Sequence, residues 1–326
     1  MPMNGIFIHQ QAKALVELGH QCHVFLTHKW YPPMGLHRLH PYWREGFQSK
    51  AEYFSEVDGI PVHSVPVFVK MPDRIFLEDS YQREANAIIR YLKENADLGK
   101  FDWIISHFWT ETSFVGLLVK DYLGIPIAAF SRGDDIHEWP IGNPTFYSHV
   151  QHVYSAADLL FANSKKLAED AQELVQKPEK RVIHVVYNGV DLNKFAPVSR
   201  HLKEKLKVDL GWDLSKIHIL CVATPVKLKG WFELLDALNV LASRKVDFEL
   251  VAVTVKRNFA DKIDIIAEAT KRGLQNRVRL IGQIPHDSLP EIYQASDIFV
   301  LPSYNEGLAN VALEAAATNL PMVLTD

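Results

Sequence analysis

Cysteine is almost absent from this sequence of 326 residues: Cys22 and Cys221 are the only two, one in each half, each in an apolar, strand-like run. They read as small buried hydrophobes of a reducing compartment and not as a disulfide. No run of about 18 apolar residues occurs, so no membrane-spanning helix is expected, and no signal-peptide pattern opens the chain. Neither half is basic. Residues 1–195 carry 19 Lys+Arg against 23 Asp+Glu and residues 196–326 carry 16 against 16, which argues against a nucleic-acid partner. Fifteen histidines invite a search for zinc ligands, and His20/His23, His37/His40 and His149/His152 are closely spaced. Yet H-E-x-x-H, a paired C-x-x-C, G-x-S-x-G and the P-loop lysine motif are all missing, which sets aside zinc, serine-hydrolase and P-loop ATPase chemistry.

What is present is ordinary in bulk and regular in pattern. With 48% hydrophobic and 23% charged residues, a chain of this length suggests two domains, each large enough for a core. Ile8, Ala12, Leu15 and Leu18 give a helical stripe that Gly19 ends, and a strand follows over 22–27. A short strand is expected near 61–69 and a helix over 81–95. Strands at 101–106, 125–130, 158–162 and 182–186 then alternate with helices at 113–123, 145–156 and 164–175. The second half repeats this, with strands at 217–223, 248–253, 278–281 and 298–301 and helices at 230–242, 259–272 and 287–294. Such alternation predicts parallel sheets covered on both faces.

The most informative stretch is Pro302-Ser303-Tyr304-Asn305-Glu306-Gly307-Leu308-Ala309-Asn310-Val311-Ala312-Leu313-Glu314-Ala315. A strand runs through a polar turn into a helix expected over 308–317, whose only polar positions before Thr318 are Asn310 and Glu314. Residues four apart share a face. A carboxylate on so apolar a helix is costly unless something satisfies it. Helical side chains lean toward the N-terminus, so Glu314 is expected to point back at Glu306 and at the N–H groups of Gly307, Leu308 and Ala309. That end suits a phosphate, and each carboxylate suits a sugar diol. The competing reading makes Glu306 a partner of the helix dipole and Glu314 a solvated surface charge.

Glu306 and Glu314 frame seven residues within P-S-x-x-E-G-L-x-N-V-x-L-E-A, a pattern that resembles the signature of the retaining glycosyltransferases of family 4. The resemblance implies an α/β protein of GT-B fold, with two Rossmann-like, doubly wound parallel-sheet domains facing across a cleft. It implies that Glu306 contacts the transferred sugar, that Glu314 binds the ribose, and that the helix N-terminus from Gly307 to Asn310 meets the diphosphate. Pro225-Val226-Lys227-Leu228-Lys229-Gly230 is similar to the family's G-R-x-x-x-x-K-G, whose Arg and Lys neutralise the leaving diphosphate. Lys229 takes the Lys place, Thr224 stands where the family has Arg, and Lys227 is a second charge nearby. On spacing alone, two lysines before a helix read as surface charges. Ser131-Arg132-Gly133-Asp134-Asp135 looks like the family's H-G-x-D, with Arg132 in the His place and Asp135 in the Asp place. Arg132 cannot act as a base at neutral pH, but it can meet a phosphate or an anionic acceptor. His107, after another strand, belongs on the acceptor side by position, where a lone His serves equally well in packing. Adjacent Asp134 and Asp135 are not read as a metal site, because enzymes of the resembled kind need no divalent ion. Gln283 and Ile284 would border the nucleobase through backbone groups. Asn4-Gly5 resembles the loop beside the donor phosphates, and residues 187–195 resemble the N-G-V-D-x-x-x-F segment that closes the first domain.

The resemblance implies an acceptor-side domain over 1–195, lacking its opening strand, and a nucleotide-sugar-binding domain over 196–326, incomplete at its C-terminal end. The expected activity is metal-independent transfer of a sugar, with retention, from a nucleotide-sugar to a glycan, lipid or small-molecule acceptor. The nucleotide-sugar is a substrate, so no cofactor is called for. Thr224 and Arg132 keep open a nucleotide-sugar-binding protein without transferase activity, whereas a sugar phosphorylase fits less well because no pyridoxal-phosphate lysine site is recognisable. Residues 30–44, rich in aromatics and bases, suit an acceptor or a lipid headgroup surface, and equally an ordinary long loop. The location that goes with this reading is cytoplasmic, at the inner face of the cell membrane when the acceptor is membrane-borne.

Overall fold

The computed structural model describes residues 6–30, 55–68, 77–177, 179–254, 262–304, 306 and 308–325. Contacts divide the chain into two units, Ile8–Tyr187 and Asn188–Asp326, with the start of the chain through Phe7 grouped with the latter. The division precedes the expected 195/196 because Val190 and Phe195 pack in the core of the second unit.

The chain opens with α1 (Ile6–Glu17), β1 (Val24–Trp30), β2 (Glu56–Val57), β3 (Ile60–Phe68) and α2 (Leu77–Glu94). The first unit continues through β4 (Ile104–His107), α3 (Thr112–Leu123), β5 (Ile127–Ser131) and the single turn α4 (Asp134–His137). It closes with α5 (Pro144–Ala156), β6 (Leu159–Ala162), α6 (Lys165–Val175) and β7 (Ile183–Val185). Helix α6 shows how local sequence sets these elements. The Ser164 hydroxyl caps it by accepting from Leu167 N at 3.1 Å, and Leu167, Ala171 and Val175, four apart, are all buried. Strands β4-β5-β6-β7 form a parallel sheet in that order; β1 and β3 pair in parallel in a second sheet, which β2 joins antiparallel. Trp109, Ile127, Val150, Tyr154, Leu160 and Leu167 form the core on the four-stranded sheet. Among the described residues β1 and β4 are edge strands, and α1 buries none of its residues fully.

The second unit runs α7 (Arg200–Asp209), β8 (Ile217–Val222), α8 (Trp231–Ser243), β9 (Phe248–Val253) and α9 (Ile265–Lys271). It ends with β10 (Val278–Gly282), α10 (Leu289–Ala295), β11 (Ile298–Leu301), α11 (Asn310–Ala317) and β12 (Met322–Leu324). Its parallel sheet has the order β10-β9-β8-β11-β12. Along β8, Leu220 and Val222 join Val251, Phe299 and Ala315 in one core, while Ile219 and Cys221 join Leu250, Trp231 and Leu235 in another. A strand apolar on both faces is buried on both faces. The strand order reverses between β8 and β11, and the carboxyl ends at such a reversal are where α/β sheets bind ligands.

Some boundaries differ from expectation. α9 starts at Ile265, because Asp264 caps it, accepting from Ala267 N at 3.0 Å, so 262–264, expected to be helical, are not, and 259–261 of the expected helix lie outside the described residues. α11 starts at Asn310 and not at Leu308: Ala309 is extended (φ −75°, ψ 110°), and an apolar run without a Ser, Thr, Asp or Asn cap does not mark its own first turn. α7 has no counterpart in the sequence reading, since it is mostly charged. Tertiary contacts hold it, with Lys203 and Lys207 reaching Asp297 at 2.8 and 2.7 Å. Among the described residues no helix is long and apolar enough to cross a membrane.

Gly230, at φ 69°, links the loop after β8 to the start of α8, and a Cβ there would lie 1.9 Å from the Pro302 carbonyl oxygen. Gly273 has a similar φ of 70° but nothing within 4 Å of its Cβ position. Gly230→Ala is expected to cost on the order of 3 kcal/mol or more, against about 1 kcal/mol for Gly273→Ala, which bears only the backbone strain. Urea denaturation midpoints of the two variants check this, and equal costs would contradict it.

Candidate functional site

Two loops leave the carboxyl ends of β8 and β11 and are tied together. Tyr304 N donates to Leu228 O at 2.9 Å, and the Gly230–Pro302 approach closes the same junction. Residues Lys227–Lys229 make one 3-10 turn, and Lys229 Nζ meets Glu306 Oε1 at 2.7 Å. The two side chains that the motifs single out separately are thus one ion pair. Both stay partly open to solvent, 22% and 31% exposed, so the pair itself adds little stability. Lys227 is exposed beside it. Thr224 lies at the same strand end, and its carbonyl accepts from Trp231 Nε1 at 2.8 Å.

Leu308 and Ala309 precede α11 instead of opening it, and both are half-buried. Asn310 is the first residue of the helix, and its Oδ1 accepts from Asn188 Nδ2 at 2.7 Å, joining the N-G-V-D segment to it. Glu314 is only 5% exposed, which overturns the solvated-charge reading. Its Oε1 accepts from His286 Nε2 and its Oε2 from the Tyr293 hydroxyl, both at 2.9 Å. Gln283 and Ile284 follow β10, the outer strand of the sheet and two strands from β8, hence about 10 Å to one side. Gly5, Gly307 and the loop over 31–44 lie outside the described residues.

In the first unit, the parallel pairing of β4 with β5 sets His107 opposite Phe130 and brings Arg132 to the same sheet end. Arg132 donates to His107 Nδ1 from Nε (3.1 Å) and Nη2 (2.9 Å), and from Nη2 to Gln11 Oε1 on α1 (2.8 Å). A neutral His107 therefore carries its proton on Nε2. Burial, with the Arg132 charge added, lowers the His107 pKa to about 3, and burial lowers that of Arg132 to about 10. Both groups are then donors at neutral pH, and neither is a base. Asp135 is fully enclosed: Oδ1 accepts from Arg132 N (2.9 Å), Gly133 N (3.0 Å) and the Ser131 hydroxyl (3.2 Å), and Oδ2 from Trp109 N (2.8 Å). Burial pushes its carboxyl up against the pull of those donors. It thus ties the loops after β4 and β5 together and does not offer itself to an acceptor. Asp134 beside it is exposed, and among the described residues no three His, Cys, Asp or Glu side chains gather to hold a metal ion.

His286, Tyr293 and Gln11 escape the sequence reading. An apolar helix bearing a glutamate signals that a donor is needed, but not which one.

Two α/β units with parallel sheets, and a strand-order reversal that carries a lysine and a glutamate, define the GT-B class. Solved structures agree on the fold. The chain is similar to sucrose-phosphate synthase from Thermosynechococcus elongatus (TM-score 0.75, 18% identity, 98% of this chain and 74% of that one). It is also similar to Anabaena HepE in complex with UDP-glucose (TM-score 0.63, 18% identity, 93% of this chain and 80% of that one). Residues 5–194 match the family model Glycosyltransferase Family 4, and residues 203–326 match Glycosyl transferases group 1. The chain belongs to Glycosyltransferase Family 4. Mannosylfructose-phosphate synthase of Agrobacterium fabrum is 27% identical over 258 residues, 73% of this chain and 56% of that protein. The chain spans 56% to 63% of the length of the curated relatives that it matches at this level.

The depressed pKa of His107 has a consequence for stability. Between the ordinary 6.5 and about 3 the unfolded chain binds a proton that the folded chain refuses, so this group makes stability fall as pH drops through that window. His107→Asn, which keeps an acceptor for Arg132 and removes the titration, is expected to flatten the acid limb of the stability–pH curve. The gain should reach roughly 3–4 kcal/mol near pH 3.5. Denaturation midpoints across pH 3.5–7.5 measure it, and parallel curves for the two proteins would refute it.

Proposed function

We propose that this protein transfers a glycosyl unit from a nucleoside-diphosphate sugar to an acceptor hydroxyl with retention of configuration. The observation that carries the proposal is the Lys229–Glu306 pair, 2.7 Å apart at the strand-order reversal, with Glu306 close in sequence to α11. On this reading a bound donor competes for the pair: Lys229 turns to the diphosphate and Glu306 to the sugar. Charge that develops on the departing diphosphate is stabilised by Lys229 and by the first turn of α11, where it lowers the barrier most. Glu314 holds the ribose. The bond from C1 to the diphosphate oxygen breaks, the acceptor oxygen bonds to C1 on the same face, and its proton passes to the departing phosphate oxygen. No protein base takes part, and within the first unit Arg132 and His107 are both donors.

The acceptor is a glycan, a glycolipid or a small molecule held by the first unit, and Arg132 favours one that carries an anionic group. The names mannosylfructose-phosphate synthase and sucrose-phosphate synthase each include a phosphate, which supports that preference. HepE, solved with UDP-glucose, makes UDP-sugars the first donors to try. With Asp134 exposed and Asp135 enclosed, the adjacent carboxylates do not converge on an ion, so turnover is expected to survive EDTA. A membrane-borne acceptor would place the protein at the cytoplasmic face of the membrane.

The test incubates the full chain with UDP-, GDP- and ADP-sugars and a panel of phosphorylated and plain acceptors, and reads the anomeric coupling of the product by NMR. Retention is expected, and inversion would overturn the mechanism. Lys229→Ala and Glu306→Gln should each lower kcat by about 100-fold or more while shifting stability by less than about 1 kcal/mol. Donor binding without transfer or hydrolysis would instead favour the binding-only reading, which Thr224 in place of an arginine keeps in view.

A further inference from the structure

Glu314 sits in a cage that the family signature does not describe. His286, in the turn before α10, and Tyr293, on α10, reach across to α11 and take one carboxylate oxygen each, at 2.9 Å. His286 is 5% exposed, Tyr293 0% and Glu314 5%. Phe195 packs against both donors, its ring 5.4 Å from that of His286 and 5.7 Å from that of Tyr293. The Tyr293 oxygen is also 3.2 Å from Val311 O, but a hydroxyl has one proton, and the carboxylate is the stronger acceptor.

A glutamate has three side-chain torsions, the last of them broad. One anchor on each oxygen fixes the position and the plane of the carboxylate before any ligand arrives. An ionised carboxylate accepts about four hydrogen bonds, and the two donors here use half of that capacity. The rest can serve a vicinal diol without the cost of ordering the side chain on binding.

We infer that His286 and Tyr293 are positioning residues for the donor, which hold Glu314 in the orientation that receives the ribose diol. The inference rests on the ribose role given to Glu314 in the proposed function and adds the two groups through which that role is set. Burial and the neighbouring Glu314 raise the Tyr293 pKa well above its ordinary value, so its hydroxyl remains a donor at all working pH values. The same three residues would otherwise form only a buried polar knot, and the two roles differ in what they do to a ligand that lacks the diol.

The experiment measures, by titration calorimetry on the full chain, the Kd of UDP, GDP and ADP and of their 2′,3′-dideoxy forms. The variants are Tyr293→Phe, His286→Leu, His286→Gln and Glu314→Ala. For the ribonucleotide that binds, Tyr293→Phe and His286→Leu are each expected to raise Kd about tenfold, the scale of one hydrogen bond to a charged group. Glu314→Ala should raise it at least as much. The dideoxy form should change by less than about twofold in every variant, and His286→Gln, which keeps an N–H near the Nε2 position, should recover most of the lost affinity. Equal losses on both forms would overturn the inference by showing a structural role, as would an unchanged Kd in Tyr293→Phe and His286→Leu alongside a loss in Glu314→Ala. In both cases the proposed function would stand. If Glu314→Ala binds the ribonucleotide like the wild type, the ribose role falls and takes the inference with it. Tyr293→Phe keeps the ring and its packing, so it carries the test should His286→Leu fail to fold.

Discussion

The Pro302 carbonyl oxygen occupies the space that a side chain at position 230 would need, and the second unit is arranged around that approach. Pro302 follows β11 and Gly230 follows β8, the two strands between which the sheet order reverses. Backbones can come so close only where one of them lacks a Cβ and can take a positive φ. Because they do, the loop carrying Lys229 and the loop carrying Glu306 form one surface, and a cation and an anion from distant parts of the chain meet at 2.7 Å. The pair is weak as a stabilising contact because it is partly solvated. That weakness is what the proposed exchange of each group for a ligand requires.

Enclosed carboxylates organise both units, and they do so by the same rule. A charge removed from water must be repaid with donors. Asp135 has three backbone N–H groups and a hydroxyl, which fastens the loop bearing Arg132 to the loop after β4. Glu314 has a histidine and a tyrosine from the region around α10. Asp297, only partly buried, has His218, whose backbone N–H donates to it at 2.9 Å, with Lys203 and Lys207, and these donors hold its carboxyl far below the ordinary range even though burial pulls the other way. In each case a single acidic side chain determines where a neighbouring loop or helix lies, with more directional precision than apolar packing alone supplies.

The sequence and the structure agree best where apolar residues run unbroken between turn signals. Strands Phe248–Val253 and Ile298–Leu301 are found as read, and α6 differs only in that Ser164 is its cap and not its first residue. Agreement fails where the pattern is charged or where an apolar run carries no cap signal. The charged helix α7 exists because Asp297, far along the chain, neutralises two of its lysines. The start of α11 is set by an extended Ala309 that nothing in its neighbourhood announces.

Resemblance to the family's motifs, more than spacing by itself, singled out Lys229, Glu306 and Glu314 in the sequence, and Arg132 only as the residue standing in the family's histidine place. The tertiary structure decided what each can do there. It paired Lys229 with Glu306, and it set His107 against Arg132 so that neither is a base. It also enclosed Asp135 and Glu314, the first to fasten loops and the second between His286 and Tyr293. The physical reason is one of range. Periodicity and propensity act over a few residues, whereas burial, the satisfaction of a buried charge and the orientation of a side chain depend on groups that only folding brings within 3 Å or so of one another.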